Sequence, residues 1–379
     1  MRGEELDVAI YMPYAAGHYR QSGPIGGGAE LQTVLLARAL VARGLRVGHI
    51  VWPIEDSVPA ADSMPALIHR APYLGDRRFL GGAGEALSIW RSMSAANART
   101  YIFRTGRSRL VVAAMFCQAH RRKLVYAGAN DLDFTFDGAP GPHSPPRGYR
   151  RALRRTDAIV TQTGGQLRLA RSILGEDHRL TTIPSFVEPA ARRNQKPDGF
   201  IWIGRLVRYK QPLEYVRLAE AMPDTLFRMV FELDNETPPE TLDAVRAAAE
   251  RLPNLDLLGQ IPRERVLQLI ERSFAVVSTS TYEGMPNVFL EAWVRGVPVA
   301  SFVFDPGGQI ETREAGLVAG GSRRELVDIA ESLQHDGSLR ERLGANGRRY
   351  VYEVHDPDGV ADRWMALLGE LLGPSRARP

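Results

Sequence analysis

At 379 residues the chain is too long for one hydrophobic core, and length alone divides it into two domains. Hydrophobic residues make up 44% and charged residues 24%, which excludes a disordered or fibrous chain. A single cysteine, Cys117, excludes an intrachain disulfide framework and fits a reducing compartment. The opening MRGEELDVAI reads as charge followed by a short strand rather than a secretory leader, and no apolar run approaches a membrane span. A cytoplasmic protein is therefore expected.

The net charge of +4 is unevenly placed. Residues 1–199 hold 27 Lys and Arg against 17 Asp and Glu, whereas residues 200–379 hold 21 against 27. A basic amino half beside an acidic carboxyl half points to different partners. Arginine supplies 45 of the 48 cations, a bias that reads as genome composition; the lysines are Lys123, Lys196 and Lys210.

In chain order, residues 6–14 form an apolar strand, and a polar loop with Gly26, Gly27 and Gly28 follows. Apolar spacing predicts a helix over 29–43, stopped by Gly44, and a second strand over 45–53. Three consecutive glycines permit close backbone approach to a ligand, although they do not make a G-x-G-x-x-G fingerprint. Residues 57–84 carry little pattern beyond a short strand in PALIHRAPYLG. A helix over 87–99, a strand over 100–106, a helix over 108–122 and a strand over 123–131 follow. This alternation predicts a doubly wound parallel sheet. Polar residues at strand ends, Arg104, Asn130 and Asp131, are expected on its ligand side. Asp131-Leu132-Asp133 is a DxD, but two carboxylates make a poor cage and no metal site is expected.

Arg147, Arg150, Arg151, Arg154 and Arg155 cluster around one short helix. Such a face suits anionic lipid headgroups or an acidic acceptor, and equally a plain solvated surface. Nucleic acid is not expected, because no aromatic interleaving or binding motif accompanies the cluster. Residues 178–199 lose periodicity and read as a linker.

Strand 200–204 opens the second half and runs into Arg205, with Lys210 in the loop before a helix starting near Pro212. Arg205 offers a planar fork for phosphate oxygens and Lys210 a compact charge on a flexible stem. A strand over 227–235, a helix over 240–251, a strand over 255–260 and a helix over 263–272 follow, with a turn at 259–262. Residues 274–280 are a strand whose loop holds Glu283 and Gly284. After Met285 and Pro286, a helix from Asn287 buries Val288, Leu290, Trp293 and Val294 and stops at Gly296, before a strand over 297–303. The Val288 and Phe289 amides at that helix start lack intrahelical partners and favour a phosphate. Glu291, one turn in, would repel a phosphate and suits neutral hydroxyls such as those of a ribose. Residues 311–335 add further α/β structure, and a last helix over 356–373 carries an apolar stripe of Val360, Trp364, Leu367, Leu368 and Leu371.

Glu283 and Glu291, with seven residues between them around a G-M-P-N helix start, together with G-R-L-x-x-x-K at 204–210, resemble the signature of retaining GT-B glycosyltransferases, family 4 (group 1) in particular. The resemblance covers most of the chain and is most specific over 200–310. It implies two doubly wound Rossmann-like domains facing a central cleft: an acceptor-side domain over 1–190 joined by a C-terminal crossover helix, 356–373, and a donor-binding domain over 200–355. It implies that Glu291 holds the nucleotide ribose and Glu283 the transferred sugar, with Arg205 and Lys210 on the diphosphate. Gly204, Gly284, Met285, Pro286, Asn287, Val288 and Phe289 would border the donor, Ile261 the base, and Gly26, Gly27 and Gly28 the diphosphate from the other side. His18, Arg104, Asn130 and Asp131 would lie on the acceptor side. The sequence departs from the family pattern at strand 123–131, which ends without a histidine (His18 and His120 being substitutes), and at Glu232 to Asn235, where relatives often have glycines.

The activity implied is transfer of a sugar from a nucleotide-sugar, a UDP-sugar being favoured, with retention and without a metal or other cofactor. The acceptor is expected to be a carbohydrate, a lipid-linked molecule or a small molecule, as in cell-surface glycan, glycolipid or natural-product glycoside synthesis. A nucleotide-sugar epimerase and a non-catalytic nucleotide-sugar-binding protein are the alternatives, and Arg147–Arg155 would give the chain a peripheral membrane contact.

Overall fold

The computed structural model describes residues 5–19, 27–54, 64–69, 81–104, 106–136, 148–176, 178–233 and 236–373. It divides into two compact units, Met1–Phe186 with Pro357–Pro379, and Val187–Asp356.

The first unit contains β1 (Leu6–Tyr11), α1 (Gly28–Ala42), β2 (Val47–Val51), β3 (Ala66–His69), α2 (Gly81–Ala96), β4 (Ala98–Arg104), α3 (Arg107–His120), β5 (Lys123–Ala127), α4 (Tyr149–Leu153), β6 (Ala158–Thr161), α5 (Gly164–Leu174) and β7 (Leu180–Thr182). Its sheet has the order β3-β2-β1-β4-β5-β6-β7, parallel throughout. Covered on both faces by helices, the central strands are mostly apolar; Val8, Ala9 and Ile10 of β1 are wholly buried, as are the polar His49 of β2 and Thr100 of β4.

The second unit contains β8 (Gly199–Arg205), α6 (Pro212–Ala221), β9 (Leu226–Glu232), α7 (Pro239–Arg251), β10 (Leu255–Gly259), α8 (Arg263–Glu271), β11 (Ser273–Ser278), α9 (Asn287–Val294), β12 (Val299–Ser301), α10 (Gln309–Thr312), β13 (Gly316–Val318), α11 (Arg323–His335) and α12 (Gly337–Val354). The order β10-β9-β8-β11-β12-β13 is again parallel. The final helix, α13 (Pro357–Leu372), returns to the first unit. Val360, Trp364, Leu367 and Leu368 pack there with Leu36, Ala37 and Leu40 of α1. Burying side chains of this size stabilises by about 1.5–3 kcal/mol each. Exposed pairs from Arg43 to Asp358 (3.0 Å) and Asp362 (3.1 Å) flank that seam and add little.

Strand order reverses between β1 and β4 in one unit and between β8 and β11 in the other. Open parallel sheets bind ligands at the carboxyl ends of the strands at such a reversal.

Several sequence expectations need correction. The stretch read as a linker contains β7, an edge strand of the first sheet. The strand expected over 123–131 ends at Ala127, because Asn130 caps a 3-10 turn over Asp131–Phe134. The 18-residue α12 is an element the sequence reading missed. Of the basic cluster, Arg150 and Arg154 donate to the Ile173 carbonyl at the end of α5 (3.3 and 3.2 Å), so part of it is a helix cap rather than a free surface. Gly26 and Arg147 lie outside the described residues.

Candidate functional site

In the second unit, the residues singled out from the sequence meet at the reversal point. Arg205 is the last residue of β8, Lys210 closes a 3-10 turn over Arg208–Lys210, and Glu283 stands in the loop after β11. The loops are laced together. Thr279 Oγ1 donates to the Lys210 carbonyl at 2.5 Å, the Trp202 indole N–H donates to the same Thr279 oxygen at 2.9 Å, and the Thr281 amide donates to the Tyr209 carbonyl at 2.8 Å. Lys210 Nζ forms an ion pair with Glu283 Oε1, both side chains being largely buried. Arg205 donates to the Tyr209 hydroxyl at 2.7 Å and lies 3.4 Å from Glu236. Tyr209 in turn stacks on Tyr282, with ring centroids 4.6 Å apart. This tyrosine pair was not anticipated; the Arg205 guanidinium carbon lies 6.0 Å and Lys210 Nζ 5.8 Å from the Tyr209 ring centroid, so one ring touches both cations. A Cβ on Gly204 would stand 3.0 Å from the Trp202 ring, a tight contact to which the indole, held by its bond to Thr279, would have to yield by a few tenths of an ångström.

The head of α9 supplies the second half. Pro286 is its N-cap, and Asn287 and Val288 carry its leading amides, flanked by Gly284 and buried Met285. The Phe289 amide, expected to lack a partner, donates to the Pro286 carbonyl at 3.0 Å, which corrects that reading. No acidic residue occupies the first turn. Ile261, just before α8, packs against the cluster that includes Met285 and Phe289.

Glu291 lies one turn in and is ion-paired to Arg263 Nη1, while Arg263 Nη2 reaches Glu188 at 3.0 Å. Burial raises the Glu291 pKa above the usual carboxylate range, and the charges of Arg263 and Arg295 oppose that shift. Arg263 was invisible to sequence reasoning, since 28 residues of chain separate it from its partner. Removing it leaves the carboxylate desolvated and under-paired, so Arg263→Ala is expected to cost about 1–3 kcal/mol. A raised folded-state pKa penalises the ionised form, so stability is regained as pH falls through that pKa. The deficit of Arg263→Ala in urea unfolding should thus be larger at pH 8 than at pH 5; a pH-independent deficit would deny the pairing an electrostatic origin.

The first unit presents its polar residues at its own reversal point. Gly27 is the N-cap of α1 and Gly28 its first residue, and a Cβ on Gly27 would lie 3.0 Å from Glu30 Oε2. Arg104 ends β4, directly beside β1. His18 lies in a 3-10 helix over Pro13–Tyr19, and His49 shares a 2.7 Å hydrogen bond with the Tyr19 hydroxyl. Burial first, then the His18 charge, depresses His49 to about 3, so its ring is neutral at physiological pH. Asn130 and Asp133 form a reciprocal cap, Asp133 accepting from the Ala129 (2.8 Å) and Asn130 (3.1 Å) amides and lying 3.8 Å from Arg107. Asn130 and the second carboxylate of the DxD are therefore committed to local structure; Asp131 begins the turn. His120 ends α3, which runs back against the sheet, and its ring packs on Trp90 and Phe116 away from Arg104.

Residues 187–350 match the family model described as glycosyl transferases group 1. Over 161 residues the chain is 28% identical to glycosyltransferase 1 domain-containing protein 1 of Xenopus tropicalis, a match covering 42% of each protein. It therefore spans less than half the length of that curated relative. Sucrose-phosphate synthase from Thermosynechococcus elongatus superposes with a TM-score of 0.79 at 15% identity, covering 97% of this chain and 99% of that one. Anabaena HepE, solved in complex with UDP and glucose, gives 0.70 at 16% identity, covering 96% and 100%. The likenesses to solved structures establish the GT-B architecture of two Rossmann-like domains, and the glycosyl transferases group 1 match lies within the second of them, over residues 187–350.

Proposed function

We propose that the protein is a retaining glycosyltransferase of the family 4 type that moves a sugar from a nucleoside diphosphate donor to an acceptor hydroxyl. The observation that carries this reading is the convergence of Arg205, Lys210, Glu283 and the head of α9 at one reversal point. The Arg205 fork, the Lys210 ammonium and the α9 amides would stabilise charge building on the departing diphosphate. Glu291 would accept from the ribose hydroxyls and Glu283 would orient the sugar, with Gly204, Gly284, Met285, Pro286, Asn287, Val288, Phe289 and Ile261 lining the donor. The acceptor oxygen bonds to the anomeric carbon on the face the diphosphate leaves, the carbon–phosphate oxygen bond breaks, and the acceptor proton passes to a phosphate oxygen. Arg205 and Lys210 supply positive charge where a metal otherwise would, so metal-independent transfer is part of the proposal. The likeness to HepE, whose structure holds UDP and glucose, favours a UDP-sugar. The acceptor is a carbohydrate, a lipid-linked molecule or a small molecule, and the reaction takes place in the cytoplasm. Among the described residues no helix is long and apolar enough to cross a membrane.

A thermal-shift panel of UDP, GDP, ADP, dTDP and their sugars, with and without magnesium, tests the donor half. One nucleotide is expected to raise Tm by mass action without magnesium, and Glu291→Ala to abolish that rise. No shift with any nucleotide would defeat the reading, and donor turnover without acceptor would indicate epimerisation or hydrolysis instead.

A further inference from the structure

Arg104 has no ion-pair partner among the described residues; the residue is half-buried, and desolvation of its guanidinium depresses the pKa to about 10. Its Nε atom is sealed from solvent and donates to nothing. Asp133 and Glu30 act on it only from beyond ion-pair distance, and Asp133 is already held by two amides. With the Gln162 amide oriented to satisfy its neighbours, the Gln162 oxygen accepts from Arg104 Nη2 at 2.6 Å and from Ser185 Oγ at 2.7 Å, and its nitrogen donates to the Ala129 carbonyl at 3.1 Å. A desolvated guanidinium facing neutral partners is costly, and structures keep such a group where a ligand supplies the missing charge.

Its place strengthens the case. Arg104 ends β4 at the reversal of strand order, where an open sheet receives its ligand. A cavity there has a wall that is mostly apolar, Ile102, Val160, Phe186 and Trp364 among it, with Arg104, Gln162, Ser185, Gln32 and Thr33 as its polar side chains, all of the first unit. Its free volume of about 10 Å³ is that of a single oxygen atom or water. We infer that this cavity takes one oxygen of an anionic group, a carboxylate or a phosphate, on the acceptor, with Arg104 as the reading side chain and Gln162 as the residue that positions it. The inference rests on the proposed glycosyl transfer for the word acceptor; the anion site itself does not.

The probe is inorganic phosphate, with acetate in a parallel arm to separate the two anion chemistries. The Arg104 Nε–H resonance, slowed in exchange by burial, is assigned by its loss in Arg104→Lys. Arg205→Ala/Lys210→Ala removes the competing diphosphate site and serves as the background. In that background phosphate or acetate should shift the Nε–H resonance, and Arg104→Gln should weaken the binding roughly tenfold or more by calorimetry. Failure of both anions to move the resonance, or equal affinity in Arg104→Gln, would overturn the inference and leave a buried water as the occupant. UDP-induced stabilisation, measured on Arg104→Gln with the donor residues intact, reports the donor site separately. Phosphate binding at Arg104 with no nucleotide binding anywhere would sink the proposed transfer while leaving the anion site standing.

Discussion

Replacing Lys210 by alanine is expected to lower kcat for sugar transfer by roughly 10²–10³-fold, with a much smaller change in donor KM. The ammonium stands in a site that excludes most water, its side chain only 16% exposed, beside Glu283 at 13% and 5.8 Å from the Tyr209 ring centroid. In such surroundings a fixed charge is worth far more than at a surface. Before the donor arrives the charge is balanced by Glu283; during transfer negative charge accumulates on the departing diphosphate, so the interaction strengthens as the reaction proceeds. Folding and catalysis must be separated, because breaking a buried pair costs about 3 kcal/mol on its own. Glu283→Gln/Lys210→Ala removes both charges and should recover most of that stability. Glu283→Gln alone is the reference, because Glu283 is itself placed on the sugar. If the pair is purely structural, the double variant matches the activity of Glu283→Gln; if Lys210 acts on the diphosphate, it falls a further roughly 10²–10³-fold below that variant at recovered stability, and that is the expected outcome.

The sequence exposed the motifs because their chemistry is local. Arg205, Lys210, Glu283 and Glu291 sit at fixed offsets from strand ends and from a helix start, and strand-loop-helix alternation is written in apolar periodicity. What joins them was hidden, since it depends on which loops the sheet order brings side by side. β8 and β11 are neighbours only because the chain reverses there, and that adjacency puts Thr279 on the Lys210 carbonyl and Tyr282 on Tyr209. Arg263 reaches Glu291 from the next helix, and Gln162 meets Arg104 from a strand two places away in the sheet. Asn130 and Asp133 show the opposite hazard, because polar residues at a strand end read as ligand-facing, yet here they cap a turn. The missed α12 has a related cause. Gly344 and Gly347, inside the helix, each cost about 1 kcal/mol of helix propensity relative to alanine, so the local signal argued against a helix that tertiary packing nevertheless requires.

Those glycines give the largest structural prediction. α12 lies so close to α9 that a Cβ on Gly344 would stand 2.1 Å from the Gly296 carbonyl oxygen, and one on Gly347 would stand 2.4 Å from the Trp293 indole. Neither neighbour can yield cheaply. Gly296 is backbone at a left-handed position (φ +73°) that ends α9, and Trp293 is wholly buried with its indole N–H bonded to the Ala315 carbonyl at 2.8 Å. Gly344→Ala must therefore push two helices apart, and the expected loss is about 3 kcal/mol, at the upper end for overpacking. For a unit of this size that lowers Tm by roughly 6–12 °C. Gly369→Ala in α13 is the matched control, since a Cβ there meets nothing within 4 Å; with a helical backbone it should stabilise by about 0.4–1 kcal/mol. The displacement also reaches the site, because α9 carries the Val288 amide and Glu291 at its head. Gly344→Ala assayed well below its own Tm should weaken nucleotide binding even though it touches no donor residue, whereas unchanged binding at reduced Tm would show that α9 holds its position without α12 behind it.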